Sequence, residues 1–185
     1  GVAGEGQLRS ESIARNYAEA LFELGEKSGA TARYGELLDA VAHGIAAAPT
    51  VAAVLSSPRV TKPQKAAILE QALPKAPREF VLFLGAVVKR GRQGLFGEMA
   101  QAYLGLLDRK LNRVRAAVTV ARPADAKLRR QIAERLTQVV GKEVLPHFHE
   151  DPAILGGLVV RVGDRVFDGS VRRRMTQLRR ALLAR

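Results

Sequence analysis

From residue 8 to residue 110 the hydrophobic positions recur with a helical period. Ile13, Tyr17, Leu21 and Leu24 are three or four residues apart, and Tyr34, Leu37, Leu38, Val41 and Ile45 repeat the spacing more cleanly. Gly29 separates the two segments, with Thr31 placed to cap the second. Pro49 breaks that second helix, and Val51, Val54 and Leu55 suggest a short third. Ser57-Pro58 reads as a turn. Thr61 and Gln64 have the spacing of a capping box, with Pro63 in the first turn, so a fourth helix runs through Ile68 and Leu69. Pro74 and Pro77 bracket another break. Phe80 to Val88 is apolar on most sides, which predicts a central fifth helix ended by Gly91. A sixth carries Leu95, Met99, Tyr103, Leu106 and Lys110.

Near Arg113 the period changes from helical to alternating. Val114, Ala116, Val118 and Val120 predict a strand, closed by Pro123. Asp125 can cap a helix carrying Leu128, Ile132, Leu136 and Val139, and Gly141 can end it. A second strand is expected over Glu143 to Phe148, with Pro146 confining it to an edge or a bulge. Leu158 to Val162 and Val166-Phe167 flank Gly163-Asp164 as a hairpin. A last helix after Asp168-Gly169-Ser170 would align Val171, Met175, Leu178 and Leu182. The fold class is therefore mostly α: a six-helix N-terminal bundle over 8–110, then a small α+β domain over 111–185.

Composition changes this picture in two ways. Hydrophobic residues form 47% of the 185, enough for a packed core, and the chain has no cysteine, which excludes disulfides, thiolate metal sites and cysteine nucleophiles. No apolar run approaches the about 18 residues of a membrane span, and Gly1 to Gln7 read as a loose polar tail. The net charge of +12 is uneven: residues 1–108 carry 12 Lys/Arg against 11 Asp/Glu, residues 109–185 carry 18 against 7. The second part should favour an acidic partner.

Catalytic chemistry has no constellation behind it. There is no phosphate-cradling G-x-x-x-x-G-K-[ST] loop and no G-x-S-x-G elbow. Gly91, Gly94 and Gly97 do not match a dinucleotide fingerprint. On an extended backbone His147 and His149 would point to one side, with Asp151 nearby, as a metal pair could. A polar strand face beside Pro146 is the plainer reading. Glu150 and Asp151 are adjacent, hence aimed apart, and Asp151-Pro152 reads as a turn. No cofactor and no metal is expected.

The most informative stretch runs from Asp151 to Met175. Asp151, Gly156, Gly157, Gly163, Asp164, Asp168 and Ser170 fall where the delta subunit of F-type ATP synthases (the oligomycin sensitivity conferral protein family) has its Asp-x-x-[hydrophobic]-x-Gly-Gly, Gly-Asp and Asp-x-Ser signature. Tyr17-Ala-Glu-Ala-Leu-Phe22 resembles the first helix of that family, and Pro58 followed by Lys65 is similar to its Pro-x(6)-Lys spacing. Glu79-Phe80 departs from the Asn that often opens the fifth helix, and Pro146 interrupts a strand that is usually unbroken. For the signature glycines and caps the residue chemistry points to fold-building: close approach or a positive φ at Gly156, Gly157 and Gly163, and amide capping by Asp168 or Ser170.

The resemblance implies a non-catalytic stator subunit linking the catalytic head to the peripheral stalk during proton-driven ATP synthesis. Its implied partners are the N-terminal helices of the alpha subunits, met by the first and fifth helices, and the b subunits, met by the C-terminal domain. It implies a peripheral location on the cytoplasmic face of a bacterial plasma membrane, with no transmembrane segment and no nucleic-acid partner. A helix-in-groove contact would draw on Ala14, Tyr17, Ala18, Leu21, Leu84 and Val87. Arg172, Arg173, Arg179 and Arg180 would form a basic face toward an acidic stalk. The alternative is a basic nucleic-acid-binding protein. No binding motif and no aromatics interleaved with the basic residues support it.

Overall fold

The fold is described from a computed structural model, which describes residues 2–154 and 157–168, the last two by backbone alone. These residues form seven α-helices, two 3₁₀ turns and a four-stranded sheet, in two compact units, Gly1–Leu107 and Asp108–Arg185.

The first unit holds α1 (Val2–Ser28), α2 (Thr31–Ala47), α3 (Pro49–Ser56), α4 (Lys62–Ala72), α5 (Arg78–Lys89) and most of α6 (Phe96–Lys110). Where each helix stops follows from local chemistry. Gly29 takes a left-handed φ of 66°, and the Ala30 amide bonds back to the Gly25 carbonyl at 2.8 Å, closing α1 with the outer bond of a Schellman turn. The Thr61–Gln64 capping box is formed in both directions: the Thr61 amide donates to Gln64 Oε1 at 2.9 Å, and the Gln64 amide to Thr61 Oγ1 at 3.3 Å. Gly91 ends α5 with a φ of 69°.

Two expectations are corrected. Thr31 does not cap α2: Ala30 holds that position without a side-chain bond, and Thr31 is the first helical residue. The residue that completes the Schellman closure of α1, Ala30, is also the cap of α2, and its methyl side chain has no acceptor to offer. Thr31 is instead buried, and its carbonyl accepts from the Tyr103 hydroxyl of α6. The N-terminal residues are not a loose tail either. Val2 to Gln7 continue α1 as an exposed helical arm, with Glu5 in the first turn, where a carboxylate opposes the positive helix end.

The bundle core joins Ala14, Ala18 and Leu21 of α1, Tyr34 and Leu38 of α2, Phe80, Leu84 and Val87 of α5, and Phe96, Met99 and Tyr103 of α6. Gly35 lets α2 come close to α6: a Cβ there would lie 3.0 Å from the Tyr103 ring and press on it. Tyr34 donates to Glu79 Oε2 at 2.8 Å, giving a role to the carboxylate that opens α5 in this chain.

The second unit contains β1 (Arg113–Val120), α7 (Ala126–Val140), β2 (Glu143–Glu150), β3 (Leu158–Val162) and β4 (Arg165–Asp168). The strand order is β2-β1-β3-β4, with β1 and β2 parallel across the α7 crossover and the other pairs antiparallel. Pro146 thus lies on an edge strand, where a missing amide costs least, and β2 runs through it without interruption. Asp125 caps α7 by accepting from the Leu128 amide at 2.7 Å, and Gly141 ends it at a φ of 79°. One sheet face, with Ala116, Val118, Val144 and Val160, packs on Leu136 of α7. Arg129 lies over the Phe148 ring at 5.1 Å and adds a cation–π contact. Gly163 turns the β3–β4 hairpin at a φ of 58°.

Candidate functional site

Five of the six residues expected to line a groove on the bundle are core. Ala14, Ala18, Leu21, Leu84 and Val87 are all at most 1% exposed. Only Tyr17 is partly exposed, and it meets Phe83 edge to face at 6.3 Å, where α1 packs on α5. Buried side chains of this kind hold two helices at a fixed separation. The surface a partner could touch is the flank beside them.

Helix geometry identifies that flank. At 100° per residue, Leu82 and Ala86 stand on the Phe83 side of α5, and Ile13 and Ala20 on the Tyr17 side of α1. Leu82 is 58% exposed, Ala86 and Ala20 are exposed, and Ile13 is half-buried. Gly85, next to both α5 residues, has nothing within 4 Å of an added Cβ. Its small size answers to no neighbour among the described residues, and it leaves bare backbone where another helix could approach. Periodicity alone missed Leu82. In an apolar run as unbroken as Phe80–Val88 every face looks buried, and only the packing partners reveal which one is not.

Of the signature residues, Asp151 begins a turn as the sequence suggests. Its carboxylate accepts from the Ala153 amide at 3.0 Å, and its own amide donates to Val120 at 2.8 Å. Gly157 is buried, and its amide donates to the Ile154 carbonyl at 3.3 Å. Asp164 is exposed in the hairpin turn, and Asp168 closes β4. Gly156, Ser170 and the basic face of Arg172, Arg173, Arg179 and Arg180 lie outside the described residues, as does the expected last helix.

The sheet face opposite α7 carries the histidines. His147 and His149 do share one side of β2, and both are exposed. His147 Nε2 is 3.3 Å from Arg115 Nη1, a cationic neighbour that opposes a metal ion, and among the described residues no three potential ligands cluster. Arg115 and Arg113 converge on the carboxylate of Asp108, at 3.0 and 2.6 Å between Nε and oxygen. The three charges are partly buried where the helical chain passes into β1, and their hydrogen bonds are satisfied. They brace that turn.

Burial pushes the Tyr103 hydroxyl well above its ordinary range, helped by the negative potential of Tyr34 and Glu26. Tyr34 shifts the same way through burial and its bond to Glu79. Both phenols stay neutral at any physiological pH. Tyr34 donates to the Glu79 carboxylate and Tyr103 to the Thr31 carbonyl, so both act as hydrogen-bond donors within the bundle.

A family model described as "ATP synthase delta (OSCP) subunit" matches residues 13–182. The chain belongs to that family. ATP synthase subunit delta of Gemmatimonas aurantiaca is 46% identical over 176 residues, covering 95% of each chain. The protein of the same name from an Anaeromyxobacter species is 39% identical, over 92% of this chain and 97% of that one. Among solved structures, a chain in the cryo-EM structure of the Toxoplasma gondii mitochondrial ATP synthase hexamer superposes with a TM-score of 0.65. At 22% identity, over 94% of this chain and 98% of that one, it shows that the fold is shared. Membership of the delta family places the chain in the membrane-associated ATP synthase. No single helix among the described residues is long and apolar enough to cross a membrane itself.

Proposed function

We propose that this chain is the non-catalytic stator connector of a bacterial F-type ATP synthase. Its helical unit holds the N-terminal helices of the alpha subunits, and its α+β unit holds the b subunits of the peripheral stalk. The observation that carries the reading is the exposed apolar flank of Leu82, Ala86 and Gly85 beside Tyr17, set on a rigid bundle in a chain of the delta family. An amphipathic helix laid there would cover Leu82 and approach Gly85 closely. The buried residues Ala14, Ala18, Leu21, Leu84 and Val87 fix the spacing of the two helices that frame it. Rotation of the central shaft can drive synthesis only if the head is held still. The connector therefore needs mechanical continuity and no chemistry of its own. It would lie on the cytoplasmic face, peripheral to the membrane.

Calorimetric titration of the full chain with a peptide of the alpha-subunit N-terminus from the same synthase tests this. The expected result is a saturable one-to-one complex that Leu82→Asp weakens at least tenfold while the melting temperature stays unchanged. A complex indifferent to Leu82→Asp would rule out the α1–α5 flank.

A further inference from the structure

Alternation along a strand sends successive side chains to opposite faces of the sheet. Val114, Ala116, Val118 and Val120 pack with α7, so Arg115, Ala117 and Thr119 of β1 stand on the other side. The register sets their neighbours there. His147 and Arg161 are the partners of Ala117 on the two flanking strands, and His149 is the partner of Thr119. His147, His149, Ala117 and Arg161 are all exposed, so this face is open. The strands carrying His147 and Arg161 are about 10 Å apart, with only the Ala117 methyl between them. The result is a shallow basic trough with a small floor.

The charge of this face depends on the histidines. On this side β1 and β3 bring Arg113, Arg115 and Arg161. The opposing carboxylates are Asp108, at the end of α6, and Glu143, the register partner of Arg113. Glu150 alternates to the α7 side, and the Asp151 carboxylate is turned to the Ala153 amide. The charges of α7 lie across the core, where Arg129 covers Phe148. With both imidazoles neutral, three arginines against two carboxylates leave one net positive charge. With both protonated there are three. Histidine is the side chain whose ordinary pKa, about 6.5, allows that change near neutral pH.

Arg115 couples the proton to an anion. Its Nε and Nη2 donate to Asp108 at 3.0 and 3.3 Å, and its Nη1 is 3.3 Å from His147 Nε2. A guanidinium can only donate, so His147 accepts there through an unprotonated Nε2. A proton on Nε2 removes that acceptor and sets two cations side by side. A carboxylate arriving at the trough offsets the repulsion by accepting from both. Proton and carboxylate therefore strengthen each other's binding by the same factor.

We infer that the open face of the sheet is a proton-linked site for an acidic segment of the stalk b subunits, which it grips more tightly as His147 and His149 take up protons. The inference deepens the connector reading and rests on it: that reading supplies the partner, and charge complementarity selects the face.

The test is calorimetric titration of the full chain with the soluble part of its own b subunits, at one ionic strength, at pH 7.5 and pH 6.0. Wild type should bind at least fivefold tighter at pH 6.0. Binding should take up protons, read from the change in heat between buffers of different ionisation enthalpy. The double variant His147→Gln, His149→Gln keeps an amide oxygen for Arg115 but cannot titrate, and its affinity should change less than twofold between the two pH values. Arg161→Glu should weaken binding at least tenfold at both. These positions are exposed, so melting temperatures should match wild type. If wild type binds equally at both pH values, if the double variant keeps the full pH dependence, or if Arg161→Glu binds like wild type, this inference is overturned and the connector reading stands. If wild type binds the b subunits at neither pH, the stalk contact of the connector reading falls, and this inference with it.

Discussion

Individual residues in this chain divide into those that answer to the fold and those that do not. Asp125 belongs to the first kind: its carboxylate satisfies an orphan amide at the start of α7. Asp125→Ala should lower stability by about 1 kcal/mol, read from denaturant unfolding of the second unit's signal. The buried phenols give a pH signature. Tyr34 and Tyr103 have raised pKa values in the fold, so above pH ~10 the unfolded chain releases protons that the folded chain retains. Their contribution is complete below that pH and is lost as pH rises beyond it. Melting temperature should therefore fall steeply above pH ~10, and Tyr103→Phe should flatten that fall even as it lowers stability at neutral pH by removing the bond to the Thr31 carbonyl. An alkaline limb unchanged in Tyr103→Phe would show that other groups cause it.

At the scale of elements, α5 shows how one helix serves two purposes. Phe80, Leu84 and Val87 enter the core, and Leu82 and Ala86 remain outside. Leu84→Ala should cost about 2–5 kcal/mol through the cavity it leaves, whereas Leu82→Asp should stay within about 0.5 kcal/mol of wild type. Equal losses in the two variants, measured by urea unfolding, would mean that Leu82 is not on a free surface. The same helix marks the limit of what the sequence discloses. From residue 8 onward, element types in the described residues were legible because caps and breakers announce them: the Thr61–Gln64 box, Asp125, Gly141, and Gly163 in its hairpin. Pro146 narrowed β2 to an edge or a bulge, and it lies on an edge. The exposed flank proposed as the binding surface was not legible, because hydrophobicity is shared by core and interface. The sequence pointed to Leu84 and Val87 as contacts, and both are packing. Thr31 misled for a related reason. A threonine after a glycine has the chemistry of a cap, but the closure of α1 had already set the path of the chain. The arm at Val2–Gln7 also escaped notice, since a helix with no buried face leaves no hydrophobic period to read.

For the whole molecule, the division of charge follows the division into units. Residues 1–107 hold 12 Lys/Arg against 10 Asp/Glu, and residues 108–185 hold 18 against 8. A connector must grip two partners at once under torque. Two grips of different physical kind would respond separately to solvent. The flank on α1 and α5 is apolar, so its contact should depend on area buried and hardly on ionic strength. The α+β unit carries nearly all of the excess charge, and its contact with an acidic stalk should be screened as the Debye length shrinks from about 30 Å at 0.01 M salt to about 8 Å at 0.15 M. Binding of the full chain to the alpha-subunit peptide should accordingly change less than twofold across that range. Binding to the soluble part of its b subunits should weaken at least tenfold, mainly through a slower association rate. Surface plasmon resonance at several salt concentrations separates the two. A stalk affinity as flat in salt as the alpha-peptide affinity would remove charge from the account of stalk binding. The basic excess of the second unit would then have to be explained by solubility or by an anionic surface near the membrane.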